Sequence, residues 1–409
     1  SLRGMPDLYS DDLISWTPVE NNLENIFKSY SLKELRTPIL EYTDLFKRSV
    51  GDTSDIVNKE IYSFYDRNDQ SISLRPEGTA GVIRSIIEKK LDQQQSKVWY
   101  MGPMFRYERP QKGRYRQFHQ AGIELLGYEE GPADFEMISI VSSIINELKI
   151  TDVKLKINHL GDNESKAKFS RSLVKFLDPY KKELDTKDQI RLEKNPLRIL
   201  DTKDTNLQKI LQEGPSIKEF ISDSANELLL ELQTTFSNSC KLEIDYNLVR
   251  GLDYYTGLVF EASSADLGAQ DAFIGGGRYD NLSSMLGGKN LPAIGLAIGL
   301  ERLISISSPN KADEKKVIFI TSTSNIAPLA FKIANQLRSL NSSVALDMDL
   351  TDSSLKAKLR RANKTNASNA LILGDKEIDS KNIIIKSLMD DTEQVSVSIE
   401  ECLDFYNKI

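Results

Sequence analysis

The sequence predicts an α+β protein, because its 409 residues divide into three kinds of segment. Strand and turn signals dominate residues 1–161 and return at 237–306. Between them, residues 162–236 are rich in Lys, Leu and Glu and poor in Gly, with the apolar spacing of helices. After a polar linker at 307–316, strands and helices alternate through 317–409. We therefore expect a main α+β domain that is interrupted by a helical insertion and followed by a small α/β domain.

The first elements are a helix and a set of short strands. Residues 11–30 have apolar side chains at spacings of three, four and seven, which is typical of an amphipathic helix. Residues 35–42 look extended, and Pro38 favours a strand edge or a break within them. The segments 61–65 and 71–74 flank a polar turn, and this pattern predicts a hairpin.

A second helix follows that hairpin, and two polar residues lie at its start. Thr79 stands just before the apolar run that begins at Val82, so it is expected to cap the helix. Glu77 lies at the strand-to-helix junction, which is a common place for site residues. The alternative for Glu77 is a plain turn carboxylate, and its position alone favours that alternative.

The stretch Met101–Gly127 predicts a strand, a basic loop and a second strand. Between Arg106 and Arg116 it contains five Lys or Arg residues and one acid, Glu108. Guanidinium groups match phosphate oxygens in pairs, so the loop suits a polyphosphate. Interleaved aromatic residues, such as Phe118, offer faces to a nucleobase. The alternative is a solvated basic hairpin without a ligand, which composition alone favours at least as much.

Three later stretches combine glycines with charged and aromatic residues. They are 246–257, with Arg-Gly-Leu-Asp-Tyr-Tyr, 273–280, with Gly-Gly-Arg-Tyr-Asp, and 292–303, with Gly-Leu-Glu-Arg-Leu. Glycine allows backbones to approach closely. The spacing of a dinucleotide-binding fingerprint and the Walker sequence are both missing, so ATP would have to bind without a P-loop.

Residue counts exclude several other kinds of protein. No run of about 18 apolar residues occurs, so we expect no membrane span. Cys240 and Cys402 are far apart, which fits a reducing cytoplasm better than a disulfide framework. With only two histidines, His119 and His159, we expect no zinc site. The net charge of −7 leaves two local positive regions for nucleic acid: the central hairpin and Lys356–Lys364, which could equally be an exposed helical face.

Together these stretches resemble the histidyl-tRNA synthetases, a family of class II aminoacyl-tRNA synthetases. Phe105–Pro110 resembles the family's motif 2, and Ala297–Leu303 resembles motif 3. The region 30–42 is similar to motif 1, which forms the dimer in that family. Leu248–Tyr255 and Gly276–Asp280 resemble its two histidine-specific signatures. The resemblance covers almost the whole chain.

The resemblance implies a fold, a reaction and a set of partners. The fold is an antiparallel sheet flanked by helices, with a helical insertion and a C-terminal α/β anticodon-binding domain. The reaction is the activation of L-histidine with ATP to histidyl-adenylate, followed by transfer to the 3′ end of histidine tRNA. The implied partners are histidine, ATP with Mg²⁺, histidine tRNA and a second copy of the chain in a cytoplasmic homodimer.

The same resemblance assigns roles to individual residues. The catalytic set is Arg106, Arg250 and Arg302. The ATP-binding set is Arg106, Glu108, Arg114, Phe118 and Arg302. The histidine-binding set is Glu77, Thr79, Arg106, Gln120, Glu124, Arg250, Tyr255 and Tyr279. Gln111 and Arg116 would meet the tRNA acceptor stem, and no residue is assigned as a metal ligand.

The alternative is a regulatory paralogue that senses histidine without aminoacylation. Such paralogues usually lose charged positions of motif 2 or motif 3, or the anticodon-binding domain. Here Arg106, Arg114, Arg250 and Arg302 are all present, and so is the C-terminal domain. The sequence therefore favours the enzyme.

Overall fold

The computed structural model describes residues 1–51, 54, 56–111, 113–202, 204–238, 240–268, 271–308, 316–322, 327–365, 367–390 and 392–409. The chain forms two compact units, Ser1–Asn310 and Lys311–Ile409, each with its own sheet and core. Most of the linker predicted at 307–316 lies outside the described residues.

The first unit contains helices and strands in mixed order. Its described helices are α1 (Ser10–Ser29), α2 (Thr43–Val50), α3 (Thr79–Glu88), α4 (Pro132–Glu147), α5 (Asn163–Leu177), α6 (Thr186–Lys194), α7 (Thr205–Gln212), α8 (Asp223–Phe236), α9 (Leu282–Met285) and α10 (Leu300–Ile306). Its described strands are β1 (Lys33–Glu34), β2 (Leu40–Tyr42), β3 (Ser63–Tyr65), β4 (Ser71–Leu74), β5 (Ser96–Phe105), β6 (Gln117–Leu126), β7 (Val153–His159), β8 (Leu242–Ile244), β9 (Thr256–Ser264), β10 (Ala272–Arg278) and β11 (Ala293–Gly299).

An eight-stranded sheet forms the centre of the first unit, in the order β1-β5-β6-β11-β10-β9-β7-β8. The inner pairs are antiparallel, and the pairs at the two edges, β1–β5 and β7–β8, are parallel. The predicted antiparallel sheet flanked by helices is therefore confirmed. The predicted central hairpin is β5 and β6, whose register runs from Ser96 opposite Leu126 to Phe105 opposite Gln117.

A smaller three-stranded sheet has the order β2-β4-β3 and is antiparallel throughout. It contains the hairpin that the segments 61–65 and 71–74 predict. Its register places Tyr42, Ile72 and Phe64 side by side on one face. Tyr42 is 60% exposed and Phe64 is 47% exposed, so this face presents apolar rings to solvent.

Residues 162–236 are helical, as predicted, and hold α5, α6, α7 and α8. Leu173 and Leu177 belong to a small core inside this segment. Leu229 and Leu232 of α8 belong instead to the main core of the first unit. The boundaries of a separate insertion domain therefore remain a prediction.

The second unit is an α/β domain with a five-stranded sheet. Its described elements are β12 (Lys316–Thr321), α11 (Ala327–Leu340), β13 (Ala345–Met348), α12 (Leu355–Ala362), β14 (Asn369–Leu373), α13 (Asp375–Ser380), β15 (Asn382–Ser387), β16 (Val395–Ser398) and α14 (Ile399–Lys408). The strand order is β13-β12-β14-β15-β16, with β12 parallel to both of its neighbours. The predicted alternation of strands and helices is confirmed.

The basic stretch Lys356–Lys364 of the second unit serves two purposes. Lys358 is buried and donates to the backbone oxygen of Thr321 at 2.9 Å. Arg361 pairs with Asp349 at 2.9 Å. The remaining cations, Lys356, Arg360 and Lys364, are exposed at intervals of four residues. Part of the stretch therefore stabilises the fold, and part of it is a positive stripe.

A buried ion pair joins β10 to α4 in the first unit. Nε of Arg278 donates to Oδ1 of Asp134 at 3.0 Å, and the side chains are 1% and 0% exposed. The remaining donors of Arg278 reach Asp280 at 3.0 Å and the backbone oxygen of Tyr128 at 3.1 Å. Removing one partner of such a pair leaves an uncompensated buried charge.

We predict that Arg278→Met lowers the free energy of unfolding by about 3–5 kcal/mol, because Asp134 loses its buried partner. The matched control is Lys28→Met, which removes an exposed ion pair with Glu24 and should cost less than about 1 kcal/mol. Urea unfolding followed by circular dichroism measures both. Equal losses in the two variants would contradict the role given to the buried pair.

Candidate active site

A cavity of about 200 Å³ opens on the central sheet beside the loop that precedes β9. Most of the residues predicted to form the site line it. These are Glu77, Thr79, Arg106, Phe118, Gln120, Arg250, Tyr255, Tyr279 and Arg302. The other lining residues are Leu252, Tyr254, Ala272, Phe273, Gly275, Gly295, Leu296, Ala297 and Gly299.

Glu124 of β6 lies fully buried beneath the wall of this cavity. Three hydroxyl groups converge on its carboxylate: Thr79 donates to Oε1 at 2.7 Å, Tyr279 donates to Oε2, and Tyr100 donates to Oε1 at 3.4 Å. Burial raises the pKa of Glu124 to about 8, against the lowering effect of these hydrogen bonds. A carboxyl group with this pKa can hold or release a proton near neutral pH.

Two glycines make room for charged side chains of the site. A Cβ atom at Gly295 would overlap the carboxylate of Glu124, and one at Gly275 would overlap the guanidinium of Arg250. Any larger residue would therefore displace the side chain that it meets. The glycines of these strands are therefore explained by the close packing of side chains against the backbone, and not by a nucleotide-binding loop.

Glu77, rather than Thr79, caps the helix α3. Its carboxylate accepts the backbone N–H groups of Thr79 at 2.8 Å and Ala80 at 2.9 Å. The prediction that Thr79 caps this helix is wrong, because Thr79 is the first helical residue and its hydroxyl donates to Glu124. A buried carboxylate needs such donors, and Thr79 is within reach. Burial raises the pKa of Glu77, and its two backbone hydrogen bonds oppose that rise.

Two buried polar atoms of the lining residues lack a hydrogen-bond partner among the residues that the structure describes. They are the acceptor Oε1 of Gln120 and the donor Nε of Arg250. Nearly all buried polar atoms in proteins pair with protein or ordered water, so an unpaired one in a cavity is available to a ligand or to a water molecule. The pair suits a ligand that carries both a donor, such as an ammonium group, and an anionic acceptor.

Arg106 follows β5 and projects into the cavity beside an aromatic ring. Its Nε donates to the backbone oxygen of Pro76 at 2.9 Å. Its guanidinium lies 5.2 Å from the centre of the Phe118 ring. Burial lowers the pKa of Arg106, although nearby carboxylates, including Glu77, oppose that effect. A buried cation with this environment would gain from an anionic ligand.

Arg302 and Arg250 approach the cavity from two other elements. Arg302 of α10 donates to the backbone oxygens of Gly113 at 3.0 Å and Ala272 at 2.7 Å. Burial lowers the pKa of Arg302, and the positive charges of Arg114 and Arg106 lower it further. Arg250 pairs with Glu261 of β9. The structure therefore gathers three of the predicted arginines around one cavity.

Four predicted residues lie outside the cavity wall, on or beside the loop between β5 and β6. Glu108 is buried and forms an ion pair with Arg114. Gln111 and Arg114 exchange backbone hydrogen bonds across the turn. The guanidinium of Arg116 lies 3.9 Å from the centre of the Tyr107 ring. These residues share one loop and do not line the cavity, although Oε1 of Glu108 lies 3.9 Å from a terminal guanidinium nitrogen of Arg106 in its wall.

Sequence reasoning missed two tyrosines of the site. Tyr254 lines the cavity, and its ring centre lies 4.8 Å from that of Tyr255 and 5.6 Å from that of Tyr279. Tyr100 lies behind the wall and donates to Glu124. The signal for Tyr254 was its place beside Tyr255 in a glycine-bounded run, whereas Tyr100 looked like an ordinary apolar strand residue.

Known proteins resemble this chain along its whole length. The family model described as histidyl-tRNA synthetase matches residues 4–303. The chain belongs to the histidyl-tRNA synthetase family. A second model, described as an anticodon binding domain, matches residues 316–409. The α/β unit at the C-terminus is thus the anticodon-binding part of this synthetase-family chain.

Individual relatives support the same family assignment. A histidine–tRNA ligase of Francisella philomiragia is 40% identical over all of this chain and 98% of its own length. The crystal structure of apo S. aureus histidyl-tRNA synthetase is 31% identical, covers 100% of this chain and 99% of its own, and has a TM-score of 0.82. A Bacillus halodurans structure described as an ATP phosphoribosyltransferase regulatory subunit/histidyl-tRNA synthetase has 21% identity and a TM-score of 0.66, over 91% of this chain and 98% of its own. That last likeness shows the fold alone.

Two further findings concern metals and membranes. Within the described part of the chain, no three His, Cys, Asp or Glu side chains form a group that could hold a metal ion. None of the described helices combines the length and apolar character that crossing a bilayer requires.

We predict that the stability of this synthetase-family protein carries a pH dependence that originates at Glu124. Its folded-state pKa of about 8 lies above the ordinary value of 4.5, so the native state holds a proton that the unfolded state releases. The resulting stabilisation is complete below pH 4.5 and is lost as the pH rises through 8.

Urea unfolding of the protein and of Glu124→Gln between pH 5 and 8.5 measures this effect. The free energy of unfolding of the unaltered protein should fall relative to that of the variant as the pH rises. The control is Glu164→Gln, at a side chain that is 74% exposed, for which no trend is expected. A difference between Glu124→Gln and the unaltered protein that is constant with pH would contradict the buried, proton-holding carboxyl.

Proposed function

We infer that this protein activates L-histidine with ATP and transfers the histidyl group to histidine tRNA. Family membership over the whole chain supports this function. The observation that carries it is the cavity itself, where a buried carboxyl, an unpaired acceptor and a cluster of arginines meet. Such a site offers separate places for a polar ring, an ammonium group and phosphates.

For histidine, the proposed contacts divide between its two ends. The ammonium group would donate to Gln120 Oε1 and to Glu77, whose carboxylate keeps acceptor capacity beyond its two backbone hydrogen bonds. Thr79 would add its hydroxyl oxygen. The imidazole ring would pair with the buried group of Glu124, Tyr279 and Tyr255, which offers both donors and acceptors. A polar site of this kind rejects rings that lack the nitrogens.

For ATP, the proposed contacts are the arginines and one aromatic ring. Arg106 and Arg250 would flank the α-phosphate and the carboxylate of histidine, and Arg302 would hold the outgoing pyrophosphate. The ring of Phe118 would stack on adenine. Glu108 and Arg114 would join the ATP site from the loop between β5 and β6, where they form an ion pair with each other.

The first chemical step needs positioning and positive charge rather than a covalent contribution from the protein. A carboxylate oxygen of histidine attacks the α-phosphorus, a new C–O–P linkage forms, and the bond from the α-phosphorus to the bridging oxygen of pyrophosphate breaks. Arg106 and Arg250 would stabilise the charge on the phosphorus oxygens. In the second step a terminal ribose hydroxyl of tRNA attacks the carbonyl carbon, and AMP leaves.

Mg²⁺ is proposed to reach this site bound to the phosphates of ATP. The described residues provide no ready group of three metal ligands, and Mg²⁺ commonly keeps its waters and binds through substrate phosphates. The ion would neutralise phosphate charge beside Arg302.

Transfer RNA is proposed to contact both units. The exposed stripe of Lys356, Arg360 and Lys364 on and just beyond α12 would face phosphates of the anticodon arm. Gln111 and Arg116, on and beside the hairpin loop, would meet the acceptor stem. The unpaired state of Cys240 and Cys402 supports a location in the reducing cytoplasm.

A homodimer is proposed through the apolar face of the three-stranded sheet. Leu40, Tyr42 and Phe64 are 45%, 60% and 47% exposed there. Large rings grouped on one sheet face usually mark an interface. The region includes the stretch similar to motif 1, so a second copy of the chain is the occupant that fits it.

One measurement distinguishes an enzyme from a histidine-sensing paralogue: the exchange of pyrophosphate into ATP in the presence of one amino acid at a time. We predict exchange with histidine alone. Arg250→Ala should lower that rate at least about 10²-fold, because a charge that stabilises the transition state is removed. Equilibrium dialysis should still detect histidine binding to the variant. The control is Arg67→Ala, at an exposed turn, which should exchange normally.

Two outcomes would contradict this proposal. Histidine binding without exchange in the unaltered protein would favour the sensor. Normal exchange in Arg250→Ala would remove Arg250 from the chemical step.

We predict that the protein sediments at twice its chain mass of 46.1 kDa and that Leu40→Glu with Phe64→Glu shifts it to a monomer. The two substitutions would bury unpaired carboxylates in the proposed interface, which is strongly unfavourable. Leu350→Glu is the control, because Leu350 is 76% exposed and lies in the second unit. A double variant that still sediments as a dimer would place the interface elsewhere.

A further inference from the structure

Two side chains of the helical segment 162–236 bind the loop that carries Arg250 and Tyr255. Nζ of Lys166 on α5 donates to the backbone oxygen of Tyr255 at 2.7 Å. Nδ2 of Asn195, just after α6, donates to Oδ1 of Asp253 at 2.7 Å. Both contacts fall within a loop that has neither helix nor strand. The helical segment is therefore in direct contact with the loop that lines the cavity.

The two ends of this loop are held in different ways. At its start, Nδ2 of Asn158 on β7 donates to the backbone oxygens of Tyr246 at 3.2 Å and Leu248 at 2.9 Å. At its end, Gly51 closely abuts Asp253, since a Cβ atom there would lie 2.5 Å from Oδ2. The two contacts from the helical segment act at this second end, next to the residues of the cavity.

The ammonium group of Lys166, which makes the contact with Tyr255, is partly buried. Burial lowers the pKa of Lys166, and the negative charge of Asp253 opposes that effect. A partly buried ammonium group needs an acceptor, and hydrogen bonds from charged donors are stronger than neutral ones. The backbone oxygen of Tyr255 is therefore held where the ammonium group requires it.

We propose that Lys166 and Asn195 are positioning residues for adenylate formation. They act through the loop: Asn195 through Asp253, three residues after Arg250, and Lys166 through Tyr255. Small displacements of groups that hold a reacting phosphate cost large factors in rate. The proposal rests on the proposed function, and it gives the helical segment a task in the first step, before any tRNA is bound.

Histidine-dependent pyrophosphate exchange in the absence of tRNA tests this proposal with the full-length chain. Asn195→Ala and Lys166→Met should each lower the exchange rate at saturating substrates at least about fivefold. Lys166→Arg, which keeps a charged donor, should recover most of the rate. Thermal unfolding midpoints should stay close to that of the unaltered protein.

Matched controls lie in the same helical segment. Gln189→Ala removes amide hydrogen bonds to the backbone oxygens of Lys181 and Leu184, which stay within the segment. Lys168→Met removes an exposed pair with Glu164 on the same helix as Lys166. Both controls should exchange within about twofold of the unaltered protein, because neither touches the loop.

A double variant separates positioning from general stabilisation. If Asn195 acts through Asp253, adding Asn195→Ala to Asp253→Ala should cause no further loss of rate. The proposal is overturned if the losses of exchange rate multiply in the double variant. It is also overturned if the control variants lose as much exchange rate as Asn195→Ala and Lys166→Met. If both single variants exchange at the rate of the unaltered protein, this inference is wrong while the proposed function stands. The helical segment would then be left with a role in tRNA binding only. Absence of exchange in the unaltered protein would overturn the proposed function and this inference with it.

Discussion

The structure of the site depends on one buried carboxyl group. Glu124 is surrounded by hydroxyl donors from three elements, Thr79 of α3, Tyr100 of β5 and Tyr279 after β10. A buried carboxyl without such donors would be strongly destabilising. The hydrogen bonds therefore fix the start of α3 against the sheet, and that position in turn lets Glu77 take over the capping of the helix. The helix α3, the central sheet and the cavity wall all contact the carboxyl group of Glu124.

The cavity built on this group has two chemically different sides. One side is the polar group around Glu124, and the other is formed by arginines that enter from three separate elements. Arg250 belongs to both the cavity and the loop before β9, whose second end is held by Lys166 and Asn195. Positive charge near the phosphates and a polar ring site nearby are what the proposed activation of histidine requires.

The sequence predicted the sheet and hairpin, because strand periodicity and turn residues are local signals. It also predicted half of the residues that line the cavity, but only through family motifs, since Arg302 or Glu77 alone reads as an ordinary surface or turn residue. It did not predict that Glu77 caps α3 or that Tyr100 reaches Glu124. The contact of Tyr100 with Glu124 depends on the register between β5 and β6, which local patterns do not encode. The capping by Glu77 is local, but it depends on the residue at which α3 begins. The pairing of Glu108 with Arg114 was not predicted either, because it depends on the path of the loop between β5 and β6.

The central claim is that the buried group around Glu124 recognises the nitrogens of the substrate ring. Titration calorimetry of histidine against 3-(2-thienyl)alanine, whose ring has a similar shape but no nitrogen, tests it most directly. Histidine should bind at least about 10³-fold more tightly, because the isostere leaves buried polar groups unpaired. Affinities within tenfold of each other would contradict the claim, since the pocket would then select for shape alone.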